Sequence, residues 1–278
     1  MAGRDEGFFS SKDGTRLFWR SQVPDGQPAA LVAVVHGYGD HSGRYQRVMS
    51  DLVARNFATI AFDYRGHGKA DGARADVGHW SDYLDDLDAF FRKAKDLAAG
   101  KPIFLLAHSN GALIVTHWVA QKPEGVAGVI LSSPFYALAF TPPPLKVLGA
   151  RLIKRLMPGL SIGNELKAEQ LSRDVAWQQE TVADPLYLHN TTPRWFFETQ
   201  AAQARLTGLG AAITLPVLYL AGGADPVAST PTARGFFDTV ASTDKTWKAY
   251  PDFRHEILCE VGREEVIADI AQWISAHR

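Results

Sequence analysis

The chain is predicted to be an α/β protein with a mostly parallel central sheet, helices on both faces and one helical insertion. Three observations carry this. Short apolar runs, rich in β-branched and aromatic residues, recur at Leu31–Val35, Ala58–Phe62, Ile103–Leu106, Val126–Leu131, Val217–Ala221 and Thr246–Tyr250. Such runs are typical of strands buried on both faces. Segments of helical period lie between them, and alternating β and α elements imply a parallel sheet. The alternation then fails between Tyr136 and Gly210.

In chain order, Phe8–Ser11 and Arg16–Gln22 flank Asp13-Gly14, a tight-turn signal, and read as a hairpin. Ser81–Leu97 carries Tyr83, Leu84, Leu87, Phe90, Phe91, Ala94 and Leu97 at helical spacing, with its acids early and its bases late, which suits the helix dipole. Gly111–Val119 reads as a small apolar helix and Arg263–His277 as a final amphipathic one. The irregular stretch has three consecutive prolines from Pro142 and then a helix with Leu145, Leu148, Leu152 and Leu156, expected to face inward. At ~150 residues per domain, a 278-residue chain allows two domains or one large domain with an insertion. The resumption of core strands favours the second: a core of residues 1–135 and 211–278, and a helical cap of residues 136–210.

Composition excludes several classes. Charged residues are 21% of the chain and hydrophobic ones 46%, the balance of a folded domain. The formal net charge of −1 gives no pull towards nucleic acid. One cysteine, Cys259, rules out an internal disulfide and thiolate-rich metal sites. Arg4, Asp5 and Glu6 stand where a signal peptide needs an apolar core, and no stretch nears the ~18 apolar residues of a membrane span. A cytoplasmic location is expected.

The chemistry starts at Ala107-His108-Ser109-Asn110-Gly111, between a strand and a helix. This is the context of a nucleophile elbow, G-x-S-x-G with Ala107 replacing the first glycine. A serine on so sharp a turn needs small residues two before and two after it. The turn lifts Ser109 above the edge of the sheet, with a helix N-terminus pointed at it. A plain helix N-cap is the bland alternative for this pentapeptide alone.

A serine nucleophile needs a base and the base an orienting acid, in the chain order Ser, Asp/Glu, His for this topology. The strand ending at Ala221 opens into Gly222-Gly223-Ala224-Asp225-Pro226, and the next into Asp252-Phe253-Arg254-His255-Glu256. The spacings, 225 − 109 = 116 and 255 − 225 = 30, leave room for one strand and one helix between acid and base. Asp252 is a rival acid, but three residues from His255 it is better placed to close the turn. The oxyanion formed during acyl transfer needs two preorganised N–H donors. The backbone N–H of Asn110 supplies one, and Tyr38, in the His36-Gly37-Tyr38-Gly39 loop after the first buried strand, the other. The glycine-rich loop Asp63–Gly68 reads as structural, packed beside the site.

With these residues in place the sequence resembles the α/β-hydrolase superfamily, and within it the monoacylglycerol lipase and lysophospholipase-like serine hydrolases. The motifs are HGYGDHSGRY (His36–Tyr45), FDYRGHGKADG (Phe62–Gly72), AHSNG (Ala107–Gly111), LSSPF (Leu131–Phe135), AGGADPV (Ala221–Val227), DPL (Asp184–Leu186) and HEILCE (His255–Glu260), and they span nearly the whole chain. The resemblance implies an α/β-hydrolase fold and hydrolysis of single-acyl-chain lipid esters beneath a mobile cap. It makes Ser109, Asp225 and His255 the triad and Tyr38 and Asn110 the oxyanion donors, with no cofactor and no metal. Two departures stand out. Ala107 replaces a glycine, and Asn110 replaces an apolar residue and places an amide near the acyl carbonyl. The rival activities are hydrolysis of small or aryl esters and, with the same triad, amide or peptide cleavage. A noncatalytic scaffold is disfavoured because all three triad positions are filled.

The expected partner is a lipid ester; no nucleic acid is expected, and oligomeric state is left open. Residues Tyr136–Asn164 hold Lys146, Arg151, Lys154 and Arg155 and no acid. A basic amphipathic helix of this kind can dock peripherally on an anionic membrane surface. The commoner arrangement closes its apolar face over the pocket and leaves the basic face solvated.

Overall fold

The computed structural model describes residues 3–164 and 166–278. Met1, Ala2 and Glu165, which fall within the ranges 1–135 and 136–210 expected above, lie outside the described residues.

The predicted apolar runs are strands: β1 (Gly3–Ser10), β2 (Arg16–Val23), β3 (Leu31–Val35), β4 (Ala58–Asp63), β5 (Ile103–His108) and β6 (Val126–Ser132) precede the insertion. Two-residue strands β7 (Ile162–Gly163) and β8 (Asn190–Thr191) pair with each other inside it, and β9 (Val217–Gly222) and β10 (Lys245–Tyr250) follow. Among the described residues one eight-stranded sheet forms, in the order β1-β2-β4-β3-β5-β6-β9-β10. The β1–β2 and β2–β4 pairs are antiparallel and the rest parallel. The hairpin turn uses Gly14 at φ 86°, and Asp13 Oδ1 accepts from the Thr15 N–H at 3.0 Å.

β3, β4, β5 and β9 are buried on both faces because each carries apolar side chains in both directions. β1 is largely exposed. The edge strand β10, expected to be buried on both faces, fully buries only Tyr250, because among the described residues no further strand or helix covers its outer side. Leu31, Ala33 and Val35 of β3 join the core under α2 (Trp80–Ala98) and α3 (Asn110–Val119). Val32 and Val34 join the core under α1 (Gln46–Val53) and α9 (Arg263–Ala276). Packing of α8 (Thr230–Thr239) through Phe236 and Phe237 extends the first core. The sheet therefore has helices on both faces, and the parallel strands β3, β5, β9 and β10 have their C-terminal ends at one shared edge, where they turn into loops.

Between β6 and β9 the chain leaves the sheet and forms α4 (Pro144–Leu156), α5 (Ala168–Leu171), α6 (Val175–Ala183) and α7 (Pro193–Ala204). One expectation is overturned here. Leu145, Leu148, Leu152 and Leu156 do not face inward; they are 83%, 63%, 60% and 75% exposed, and no residue of α4 is fully buried. The helix period places Val147, Ala150, Ile153 and Lys154, all half-buried, on the opposite face. These smaller residues are the ones turned to the protein, and Arg151 and Lys154 reach over the Phe197 ring of α7. Periodicity identifies an apolar stripe but carries no information about which side of the helix a neighbour will cover. No helix of the described residues is long and apolar enough to cross a membrane.

Candidate active site

At the end of β5 the backbone turns sharply into α3, leaving Ser109 at φ 52° and ψ −117°. A non-glycine residue there costs on the order of 1–3 kcal/mol, so the surroundings must hold it. Ser109 N–H donates to the Ser132 carbonyl at 2.9 Å, and the Ser109 carbonyl accepts from Leu113 N–H at 3.2 Å and Phe135 N–H at 3.1 Å. The need for small flanking residues has a concrete cause. A Cβ at Gly111 would stand 2.4 Å from the His36 carbonyl oxygen and 2.5 Å from that of Val35. Ala107 is fully buried in β5, between Val35 and Leu131 of the adjacent strands, and its methyl is accommodated.

The loops after β9 and β10 approach each other through glycine. A Cβ at Gly222 would meet the Arg254 carbonyl oxygen at 2.4 Å, and one at Gly223 the Pro251 carbonyl at 2.5 Å. That contact brings acid and base together. His255 Nε2 lies 2.8 Å from Ser109 Oγ, and His255 Nδ1 lies 2.8 Å from Asp225 Oδ2. Asp225 Oδ1 accepts from the N–H groups of Val227 and Ala228 at 2.8 and 2.9 Å, which leaves Oδ2 aimed at the imidazole. Asp252, the rival acid, is exposed in the turn after β10.

Burial of His255 by itself pushes its pKa down. The Asp225 carboxylate, by charge and hydrogen bond, and the nearby Glu256 more than offset this, and the net direction is up. The arrangement suits a base that takes a hydroxyl proton and is stabilised once charged.

The β3 loop passes directly against the serine: a Cβ at Gly37 would lie 3.3 Å from Ser109 Cβ. The Tyr38 side chain is turned away and anchored, its hydroxyl donating to the Ala75 carbonyl at 2.8 Å and its ring stacked 3.6 Å from Trp195 of α7. As the first residue of α3, Asn110 has a backbone N–H without an intrahelical acceptor. Among the hydrogen bonds of the described residues, none uses the Tyr38 or Asn110 backbone N–H. The Asn110 side chain is fully enclosed, with its amide beside the Tyr64 hydroxyl.

Two clusters of ionisable side chains at the site have no pairing signal in the sequence. His108 Nε2 lies 3.2 Å from Glu256 Oε1, so the residues next to the serine and next to the histidine are tied to each other. Arg44 reaches Asp40 at 3.1 Å and Asp184 at 3.6 Å, and Asp184 Oδ2 also lies 2.9 Å from His41 Nε2. Asp184 belongs to the insertion, so this cluster ties it to the loop after β3. The motifs containing these residues were visible; that position 184 returns to position 41 was not.

A serine on a strained strand-to-helix turn, hydrogen-bonded to an imidazole that a buried carboxylate orients, on this sheet, defines an α/β-hydrolase of the serine type. The chain belongs to the Hydrolase_4 family, described as Serine aminopeptidase, S33, which residues 26–262 match. Among its relatives is the monoacylglycerol lipase of Mycolicibacterium smegmatis, 32% identical, with 99% of this chain and 98% of that protein covered. Human monoglyceride lipase is 31% identical, with 95% and 88% covered. The crystal structure of Paleococcus ferrophilus monoacylglycerol lipase aligns over 100% of both chains at 28% identity and a TM-score of 0.82.

Proposed function

We propose that this chain hydrolyses single-acyl-chain lipid esters, monoacylglycerols foremost, with residues 1–135 and 211–278 as catalytic core and residues 136–210 as cap. The observation that carries the reading is the 2.8 Å pair of contacts joining Ser109, His255 and Asp225 in one line. The substrate class rests on the relatives named monoacylglycerol or monoglyceride lipase, which match nearly the full length of the chain.

In this mechanism Ser109 Oγ attacks the ester carbonyl while His255 Nε2 takes its proton. The Tyr38 and Asn110 N–H groups receive the oxyanion. His255 then gives the proton to the leaving alcohol, and water, activated by the same imidazole, releases the acid from the acyl-enzyme. Neither a cofactor nor a metal enters these steps. Peptide cleavage is the second reading, favoured by the family's description as a serine aminopeptidase. A panel of monoacylglycerols, lysophospholipids, short esters and amides of matched acyl chain decides between them. The expected order of kcat/KM places monoacylglycerols first, and amides turning over faster than their matched esters would overturn the reading.

The outward leucines of α4, on a segment that holds four bases and no acid and with Arg155 on the leucine side, support contact with an anionic membrane surface, with apolar side chains entering the interface and the basic charge drawn to headgroups. Replacing Leu148 and Leu152 by Ser is expected to weaken binding to anionic vesicles by about 10-fold or more, at ~0.8 kcal/mol per CH₂ withdrawn from the interface. Turnover of a soluble aryl ester should be unchanged, because both side chains are exposed in the free protein. Equal sedimentation of wild type and variant with anionic vesicles would remove α4 from the membrane contact.

A further inference from the structure

The loop Asp63–Gly68 after β4 was expected only to pack beside the site, yet one of its side chains touches the peptide that the mechanism depends on. Tyr64 is 1% exposed, and its hydroxyl donates to the Gly37 carbonyl at 2.8 Å. That carbonyl shares a peptide unit with the Tyr38 N–H, the proposed oxyanion donor. The chain has no cis peptide bond among its described residues, so the Gly37 C=O and Tyr38 N–H point in opposite directions within one rigid plane. Whatever grips the oxygen aims the N–H.

A second donor acts on the same oxygen. His36 Nδ1 lies 2.7 Å from the Gly37 carbonyl, and the His36 ring stacks on Tyr64 at 4.0 Å with 14° between planes. A carbonyl can only accept, so the proton of this imidazole sits on Nδ1. Burial holds His36 well below the usual imidazole range, at about 3, and the ring is neutral. Both donors are enclosed and packed against each other, so neither is free to swing away.

We infer that Tyr64 is a positioning residue for acyl transfer: with His36 it clamps the Gly37 carbonyl and so sets the direction of the Tyr38 N–H towards the oxyanion. Two hydrogen bonds to the carbonyl also polarise the amide and strengthen its N–H as a donor. The clamp acts where charge develops in the transition state, so it should affect kcat far more than ground-state binding. The inference rests on the proposed oxyanion role of Tyr38.

The test is Tyr64→Phe, which keeps the ring and its stacking and removes only the hydroxyl. Tyr83→Phe is the control, since Tyr83 is a buried neighbour 5.1 Å from Tyr64 whose hydroxyl has no partner among the described residues. Active sites are counted with a fluorophosphonate, and kcat, KM and the Ki of a trifluoromethyl ketone, whose adduct carries an oxyanion, are measured per active site. For Tyr64→Phe we expect kcat about 10- to 100-fold lower and Ki raised by a similar factor, with KM within about 2-fold; losing a whole donor typically costs about 10²–10³. Tyr83→Phe should match wild type in all three. If Tyr64→Phe keeps the wild-type kcat and Ki per active site, with only its Tm lowered, Tyr64 is structural and the inference fails. If wild type itself takes no label and turns over no ester, the hydrolase reading fails, and the clamp with it; the two failures are told apart by the wild-type arm.

Discussion

Ser109→Ala is expected to lower kcat/KM for any ester by about 10⁴- to 10⁶-fold and to abolish fluorophosphonate labelling, the loss seen when a triad nucleophile is removed. The residual rate reflects binding and the oxyanion donors alone. Ser109→Gly should be equally inactive but more stable. Ser109 sits at φ 52°, a conformation glycine adopts without strain. Relief of about 1 kcal/mol would raise Tm by roughly 2–4 °C in a chain of this size. Together the two variants separate strain from chemistry: both lose activity, and only glycine gains stability. Labelling of the Ser109→Ala variant at the wild-type level would exclude Ser109 as the nucleophile.

Asp225→Asn is expected to cost about 10⁴ in kcat, and the geometry explains why so small a change does so much. The amide oxygen would keep the two bonds from the Val227 and Ala228 N–H groups, because only an acceptor fits there. The amide nitrogen would then face His255 Nδ1 as a donor. That forces the imidazole proton onto Nε2, the atom that must accept from Ser109. The pH profile should move as well. In the wild type the His255 pKa is raised, burial being outweighed by Asp225 and Glu256, so the imidazole stays protonated and idle to a higher pH. The rising limb of kcat/KM is therefore expected above the ordinary imidazole value of ~6.5. Without the Asp225 charge, burial prevails and the limb shifts to lower pH. A variant with an unshifted limb would mean that another group governs the profile.

Much of this site is legible in the sequence. The β3 and β5 runs, the small residues around Ser109 and the glycines before Asp225 all follow from local rules, and each has a steric counterpart in the fold. Periodicity does not single out α1 or the insertion helices α5, α6 and α7, and it gives α8 only as the helix that the spacing between Asp225 and His255 leaves room for. All are short, and α8 is fixed by a Ser229 side chain accepting from Thr232 N–H. The α4 leucines form an apolar stripe that local pattern assigns to the core, yet the face with Val147, Ala150 and Ile153 is the one turned to the protein, and the leucines stay outside.

By itself the sequence determined what is local: strands buried on both faces, a serine at a turn only small neighbours permit, and an acid and a base in loops at one edge of the sheet. The tertiary structure decided what depends on residues distant in the chain. It set Asp225 Oδ2 2.8 Å from His255 Nδ1, brought Asp184 back to His41 and Arg44, and turned the α4 leucines outward. It also set the Tyr64 hydroxyl on the Gly37 carbonyl. The physical reason is the same throughout: periodicity and turn chemistry act over a few residues, whereas a hydrogen bond or a packed face is settled by whichever segment the fold returns to that place.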